Sequence, residues 1–192
     1  MRALLDSFLR ARHWQLFLLF VGLCCAAAAA MLITVLLSPH EALRRVFPFF
    51  VVIELLAVSF ALWLWSLGVF LNSLVPLHLR MKKTLFRVSV LFVPLYLPMF
   101  GLFFQGTNQV QNVTLILILF ALIIPLHFFA MFCQIYSWYF VSRSLALAES
   151  LGPASFADYI GYFFGLWLFP IGVWIIQPRI NRLYANASTL SS

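Results

Sequence analysis

The chain has 192 residues, of which 65% are hydrophobic and only 9% are charged, and its formal net charge is +7. About a quarter of the residues in a soluble domain are charged, so this composition excludes a soluble fold and indicates an integral membrane protein. Apolar runs such as 115–125 (LILILFALIIP) lack the alternation of membrane barrel strands. The sequence therefore predicts an all-α fold, a polytopic bundle of four transmembrane helices with a further helical segment at its C-terminal end.

The first long apolar run covers residues 14–37 and follows Arg2, Arg10 and Arg12. It is longer than the apolar core of a signal peptide, which has about 7–15 residues. We therefore expect it to be the first transmembrane helix.

The second and third apolar runs are separated by a polar, basic connection. Ser38-Pro39-His40-Glu41 is typical of a turn, and the second run, residues 46–71, contains Glu54. Residues 72–87 form the connection. The third run, residues 88–104, carries Pro94 and Pro98, so it is predicted to be short and kinked.

The fourth run follows the polar loop 105–112 and is the longest. Good helix formers continue from residue 114 to 151, and Gly152-Pro153 supplies a stop. Such a helix would be about 57 Å long. A hydrocarbon core is about 30 Å thick, so this helix is predicted to project beyond the bilayer. Residues 1–151 thus form the predicted bundle.

Lysine and arginine positions predict the orientation of this bundle. With four spans, one side holds only Arg44 and Arg45, whereas the other holds the basic residues of the N-terminal segment, of the 72–87 connection and of the end of the fourth helix. Both termini are therefore predicted to be cytoplasmic. We expect the cytoplasmic basic residues to contact a partner protein or lipid headgroups; they are Arg80, Lys82, Lys83, Arg87, Arg143, Arg179 and Arg182. No basic domain with interleaved aromatic residues is present, so direct nucleic-acid binding is not expected.

The C-terminal segment 152–184 allows three interpretations. Ser155 and Asp158 fit a capping box that starts a helix at Phe156, and the apolar stretch after it is only just long enough to span. A kinked fifth span, a re-entrant hairpin and an interfacial helix all remain open. Residues 185–192 are predicted to be a disordered tail.

The string FPIGVWIIQPRIN, residues 169–181, contains the C-terminal motif. Its candidate residues are Pro170, Gly172, Trp174, Gln177, Pro178, Arg179 and Asn181. Both prolines are predicted to break the backbone, and Gln177, Arg179 and Asn181 to lie where the segment re-emerges. Arg179 would bind helix carbonyls, lipid phosphate or a partner carboxylate. The alternative is that Arg179 is only a headgroup anchor.

Two ionisable residues, Glu54 and His127, lie inside predicted spans. Burying charge in lipid is costly, so such groups either join helices or serve a function. Their depths differ by about 8 Å, which leaves direct pairing open. Cys24, Cys25 and Cys133 lie in apolar runs without metal-ligand spacing, and no nucleophile or phosphate motif is present. We therefore expect neither a cofactor nor an enzyme.

In its size, its four spans and residues 169–181, the chain resembles the membrane subunit of the Kiwa antiphage defence system. The resemblance implies a homo-oligomer, a tetramer, of the bacterial inner membrane that works with a cytoplasmic, DNA-binding subunit. The predicted function is thus a non-catalytic scaffold or sensor that binds membrane lipids, its own copies and a cytoplasmic protein. The alternative is an oligomeric ion channel or transporter-like protein, in which Glu54 and His127 line a path.

Overall fold

The computed structural model describes residues 2–37, 47–107 and 112–189. These residues form seven α-helices joined by short connections, and no strand occurs among them, so the predicted all-α class is confirmed. The helices are α1 (Arg2–Arg10), α2 (His13–Leu37), α3 (Phe47–Leu74), α4 (Lys83–Thr107), α5 (Val113–Ser150), α6 (Phe156–Trp167) and α7 (Phe169–Thr189). Helices α2 to α5 are long and apolar enough to cross a membrane. The predicted turn at 38–41, Arg44 and Arg45 fall outside the described residues.

Helix α1 was not predicted. It precedes α2 almost directly, and Leu9 on its inner face is buried. Leu5, Phe8 and Leu9 repeat at helical spacing, so the periodicity was present in the sequence but overlooked beside the basic residues.

Helix α5 has 38 residues and starts from a well-formed cap. The Asn112 side chain accepts hydrogen bonds from the backbone N–H groups of Thr114 and Leu115, at 3.0 and 3.2 Å. The helix stops before Gly152, but it is Leu151 that takes the left-handed conformation, with φ of 50°. The predicted length is therefore confirmed, although the chain does not use the glycine for the left-handed cap.

The connection between α3 and α4 is held by side chains rather than left open. Asn72 donates to the carbonyl of Met81 and accepts from its N–H, both at 3.1 Å. Arg80 donates to the carbonyls of Val75 and Ser73, both at 2.8 Å, and so binds carbonyl groups at the end of α3. Helix α4 then starts at Lys83 inside the basic stretch, so it is longer than the predicted third run and continues through Pro94 and Pro98.

The core is concentrated toward the end of the bundle where this connection lies. One large cluster there joins α1, α2, α3, α4, α5, α6 and α7, and includes Phe20, Trp63 and Phe140. Phe86 of α4 stacks on Phe140 of α5 with ring centroids 4.1 Å apart. A smaller cluster around Tyr96, Ile123 and Ala130 joins α4 to α5 toward the opposite end. The basic end of the molecule is therefore the more extensively packed one. We call it the basic end below.

Helices α6 and α7 form a hairpin that folds back at Leu168. The N–H of Leu168 still bonds the carbonyl of Phe164, and a new helix starts from the carbonyl of Leu168, which accepts from Ile171 and Gly172. A Cβ added to Gly172 would lie 1.7 Å from the carbonyl oxygen of Gly165, so the two helices touch backbone to backbone. Glycine at position 172 is required by this contact.

The tip of the hairpin points into the bundle. Phe169 packs edge-on against Phe20 and Phe60, with centroids 5.6 and 5.5 Å apart, and Phe60 lies at the midpoint of α3. Farther along α7, Tyr184 contacts Phe70 near the end of α3. Both outer ends of the hairpin thus lie at the basic end. This geometry fits the re-entrant interpretation, because a fifth span would carry the end of α7 to the opposite side.

Two predictions about this segment are wrong. Pro170 does follow the break, in the first turn of α7 where proline is tolerated, but Pro178 lies inside the helix without ending it. Helix α7 also continues to Thr189, so residues 185–189 are helical instead of belonging to a disordered tail. The helix persists because Gln177 and Asn181, on either side of Pro178, form hydrogen bonds with the N-terminal part of the chain.

Candidate functional site

Gln177 lies at the centre of the contacts between α7 and the N-terminal part of the chain. Its side chain is fully buried. Its Nε2 donates to the carbonyls of Phe8 and Ala11, at 3.0 and 2.9 Å, and its Oε1 accepts from Trp63 Nε1 at 3.1 Å. The last carbonyls of a helix have no partner within the helix, and Gln177 supplies one for α1.

Asn181 repeats this contact one turn later. Its Nδ2 donates to the carbonyls of Leu9 and Ala11, at 3.0 and 3.3 Å. Residues four apart share a helix face, so the spacing of Gln177 and Asn181 matches one helix end. Both side chains therefore form hydrogen bonds with backbone carbonyls inside the protein. The sequence had predicted only that they lie where the segment re-emerges at the surface.

Aromatic contacts hold the rest of this face in place. Trp174 lies against His13 and Phe17 of α2, with centroids 4.5 and 5.6 Å apart. At the far end of α7, Arg10 Nε donates to the hydroxyl of Tyr184 at 3.3 Å and the guanidinium sits over the ring. This hydrogen bond raises the pKa of Arg10.

Arg179 projects from α7 into a clasp that joins three helices. Its Nη1 donates to Glu149 Oε1 of α5 at 3.1 Å and to the hydroxyl of Tyr162 of α6 at 2.7 Å. Tyr162 in turn donates to Glu149 Oε2 at 2.7 Å, and the guanidinium carbon lies 5.2 Å from the centre of the tyrosine ring. We call Glu149, Tyr162 and Arg179 the clasp.

The surroundings of Tyr162 in the clasp favour its protonated form, which is the form that donates to Glu149. Burial and the hydrogen bond to Glu149 raise the pKa of Tyr162 to about 12. The same carboxylate raises the pKa of Arg179. Of the acceptors predicted for Arg179, the structure shows a carboxylate. It belongs to Glu149 of the same chain and not to a partner protein. Only Nη1 is used, so the two-pronged geometry of the guanidinium is not required for the ion pair.

The start of α6 forms as the capping motif predicts. Asp158 Oδ2 accepts from both the N–H and the hydroxyl of Ser155, each at 2.7 Å. These two hydrogen bonds lower the pKa of Asp158. Helix α6 begins at Phe156, which confirms the predicted start.

The other basic candidates separate into structural and unpaired residues. Arg80 binds the end of α3, as described above. Lys82, Arg87 and Arg182 are exposed, and none has a side-chain hydrogen bond or ion pair among the described residues. Lys83 likewise has none in that part of the chain, although it is half-buried. Arg143 is half-buried and donates to the hydroxyl of Tyr139 at 2.5 Å.

Glu54 and His127 are not brought together. His127 Nδ1 of α5 is 2.8 Å from the hydroxyl of Tyr96 of α4, and the His127 ring stacks on Phe100, which is also in α4. Glu54 Oε2 is buried and has no hydrogen-bond partner in the described ranges. The pairing left open by their predicted depths thus does not form. Within the described residues, no three histidine, cysteine, aspartate or glutamate side chains lie close enough to hold a metal ion.

The site residues that sequence patterns missed are those that complete these networks. The sequence did not predict a role for Trp63, Tyr162 or Glu149. Each of them is a common residue type in an apolar or helical stretch. Their partners are 114, 17 and 30 residues away, respectively, so no local pattern could have linked them. No protein-family model, no curated protein and no solved structure matches this chain.

Proposed function

We propose that the chain is a non-catalytic scaffold or sensor of the bacterial inner membrane whose basic end binds a cytoplasmic protein subunit. The observation that carries the proposal is the position of its cations. The ten lysines and arginines within the described residues all lie at or near the basic end, and the other two of the chain, Arg44 and Arg45, fall outside those residues. By the positive-inside rule, this end would be cytoplasmic.

The basic end suits protein docking because its helices are held in place by hydrogen bonds, while several of its cations have no ion-pair partner among the described residues. Gln177, Asn181 and the clasp hold α7 against α1, α5 and α6. Lys82, Arg87 and Arg182 remain exposed around this frame. Unpaired surface cations steer an acidic partner and set its orientation more than they add affinity.

The identity of the system is proposed from the resemblance in the sequence. The membrane subunit of the Kiwa system implies a role in antiphage defence, a homo-oligomer and a cytoplasmic partner that itself binds DNA. The present chain would then act on nucleic acid only through that partner. Direct contact with membrane lipids would come from α2 to α5, the helices long and apolar enough to span.

The first experiment tests the side on which the basic end lies. Fluorescent reporters that fold only in the cytoplasm, fused after residue 189 and before residue 2, should both be active. Activity at one fusion alone would contradict the proposed orientation and would require an odd number of spans.

The second experiment tests the partner. The tagged chain is purified in mild detergent from cells that carry its native gene neighbourhood, and bound soluble proteins are identified by mass spectrometry. Triple reversal of Lys82, Arg87 and Arg182 to glutamate should release the partner and abolish phage protection at unchanged membrane abundance. Matched reversal of Lys83 alone should change little. Equal recovery of the partner with the triple variant would overturn the proposed docking face.

A further inference from the structure

An open groove runs between α5 and α6 on the outside of the bundle. Its volume is about 300 Å³. Each helix contributes residues at i, i+3, i+4 and i+7, the spacing of one helix face. They are Phe132, Ile135, Tyr136 and Tyr139 of α5 and Phe156, Tyr159, Ile160 and Phe163 of α6. The groove is therefore apolar and aromatic, with hydroxyl groups supplied by its three tyrosines.

Arg143 lies one turn beyond Tyr139. Its Nη1 donates to the Tyr139 hydroxyl, and its guanidinium carbon is 5.8 Å from the centre of that ring. Tyr139 lines the groove and also contacts Tyr159 across it. Arg143 is thus attached to the end of the groove that faces the basic end.

The charge of Arg143 is not neutralised within the described chain. Its Nε is buried without a hydrogen-bond acceptor there, and no carboxylate of the described residues lies within 4.0 Å of it. Arg179, by contrast, has Glu149. A guanidinium stays charged at any physiological pH, and a buried donor without an acceptor is destabilising. An external ligand cannot reach Nε itself, but Nη2 is not buried and has no hydrogen bond within the described chain, so an anion can bind the guanidinium there.

We propose that the groove and Arg143 form a binding site for one anionic phospholipid. The phosphate accepts from Arg143, and an acyl chain lies along the aromatic groove. From residue 143 to residue 132 the α5 face covers about 16 Å, which matches a substantial part of an acyl chain. Tyrosines placed between an apolar groove and a cation suit the boundary between acyl chains and headgroups.

Charge selects an anionic lipid over a zwitterionic one. A second cation in the headgroup would be repelled by the guanidinium, whereas a headgroup with net negative charge would not. A guanidinium N–H also forms strong hydrogen bonds to phosphate oxygens, and Nη2 of Arg143 makes none within the described residues. The membrane supplies this ligand in large excess over any soluble phosphate.

The test counts lipids that stay bound to the purified chain. The protein is placed in nanodiscs of phosphatidylglycerol and phosphatidylcholine in equal amounts, and native mass spectrometry measures how much of each lipid is retained. Arg143→Gln removes the phosphate contact. Ile135→Trp fills the groove from a position that is 47% exposed, so the core is spared.

Two control variants match these changes. Arg12→Gln removes an equal charge at an exposed position that does not line the groove. Ile124→Trp makes the same enlargement on the same helix, where the side chain is 49% exposed. Elution as a single species and an unchanged melting temperature in phosphatidylcholine alone verify that each variant is folded. Arg143→Lys, which keeps the charge, replaces Arg143→Gln if that variant misfolds, and should retain less lipid than wild type.

We expect the wild type to retain phosphatidylglycerol in preference to phosphatidylcholine. Arg143→Gln should lower that retention about fivefold, the factor typical of one basic contact with an anionic surface. Ile135→Trp should also lower it, because the indole occupies the place of the acyl chain. The two controls should retain as much as the wild type. Equal retention of both lipids by the wild type, wild-type retention by Arg143→Gln or by Ile135→Trp, or no retained lipid at all would overturn the site.

Discussion

The Gln177 side chain uses both amide protons and its oxygen in the core. Its three partners are the carbonyls of Phe8 and Ala11 and the indole N–H of Trp63. A buried polar group is stabilising only when it is paired, and an orphaned one costs about 1–3 kcal/mol. One substitution at this position therefore orphans the Phe8 carbonyl and the Trp63 N–H, whereas the Ala11 carbonyl still accepts from Asn181.

We expect Gln177→Met to lower the free energy of unfolding by at least about 2 kcal/mol, because methionine fills the space without hydrogen bonds. Thermal unfolding in detergent, followed by circular dichroism, measures the change. Asn186→Met on the exposed part of α7 is the control and should change stability by no more than about 0.5 kcal/mol. A melting temperature of Gln177→Met equal to that of the control would contradict the network.

Arg179 is a different kind of residue because its side chain is 45% exposed. Exposed ion pairs contribute little, so Arg179→Ala should cost about 1 kcal/mol or less. Since one nitrogen makes both hydrogen bonds, Arg179→Lys should keep the ion pair and lose only the contact with the tyrosine ring.

A double-mutant cycle of Arg179→Ala and Glu149→Ala measures the clasp itself. The expected coupling is about 0.5–1 kcal/mol, and it should decrease at high salt. Arg182→Ala combined with Glu149→Ala provides the matched cycle, for which the coupling should be close to zero. Purely additive effects in the Arg179 cycle would leave Arg179 as a headgroup anchor.

At the scale of the elements, the α6–α7 hairpin depends on close backbone contact. The helices meet at Gly165 and Gly172, so any side chain at 172 would have to separate them. The three glycines of this segment differ in the space around them. A Cβ at Gly161 meets nothing within 4 Å, and one at Gly165 meets Ile176 at an ordinary 3.4 Å.

We therefore expect a graded alanine series. Gly172→Ala should destabilise the protein by about 1–3 kcal/mol or more, because the backbone must shift. Gly165→Ala and Gly161→Ala should be neutral or slightly stabilising, since alanine favours a helix over glycine. Thermal unfolding of the three variants provides the test. Equal effects of Gly172→Ala and Gly161→Ala would show that the helices do not meet at this point.

Local patterns in the sequence predicted the elements well wherever one stretch of chain determines them. The four long helices, the stop before Gly152 and the start of α6 at Phe156 all follow from apolar length and capping residues. Pro178 was misjudged because the tertiary contacts of Gln177 and Asn181, on either side of it, hold the helix together. The clasp and the lipid groove involve residues on different helices, so no local pattern could reveal them.

At the scale of the whole molecule, α2 presents small residues to its surroundings. Gly22, Cys25, Ala26 and Ala29 are exposed, and a Cβ at Gly22 would meet nothing within 4 Å. Small residues allow helices to approach closely in a membrane. This face is therefore the expected contact between copies in the proposed homo-oligomer.

Cys25 provides a direct probe of that contact. In a variant with Cys24→Ser and Cys133→Ser, mild oxidation in native membranes should join two chains through Cys25. Moving the single cysteine to position 31, which is exposed but lies about 120° away from Cys25 around the same helix, should not give the crosslink. Absence of dimers from the Cys25 protein at normal abundance would count against α2 as the contact, and monomeric mass in nanodiscs would refute the oligomer.

The bonds from Gln177 to α1 also have a consequence for biosynthesis. They join residues 169 and 166 positions apart, so the ribosome completes α1 long before it makes the side chain that binds the end of that helix. Until then, the carbonyls of Phe8 and Ala11 must stay solvated or bind elsewhere. The four long helices can thus enter the bilayer one after another and α1 can pack on α3, but the carbonyls at the end of α1 receive their donor only after α7 has been synthesised. A chain truncated before residue 177 would be inserted but unfinished, because the carbonyls of Phe8 and Ala11 would lack their donors from α7.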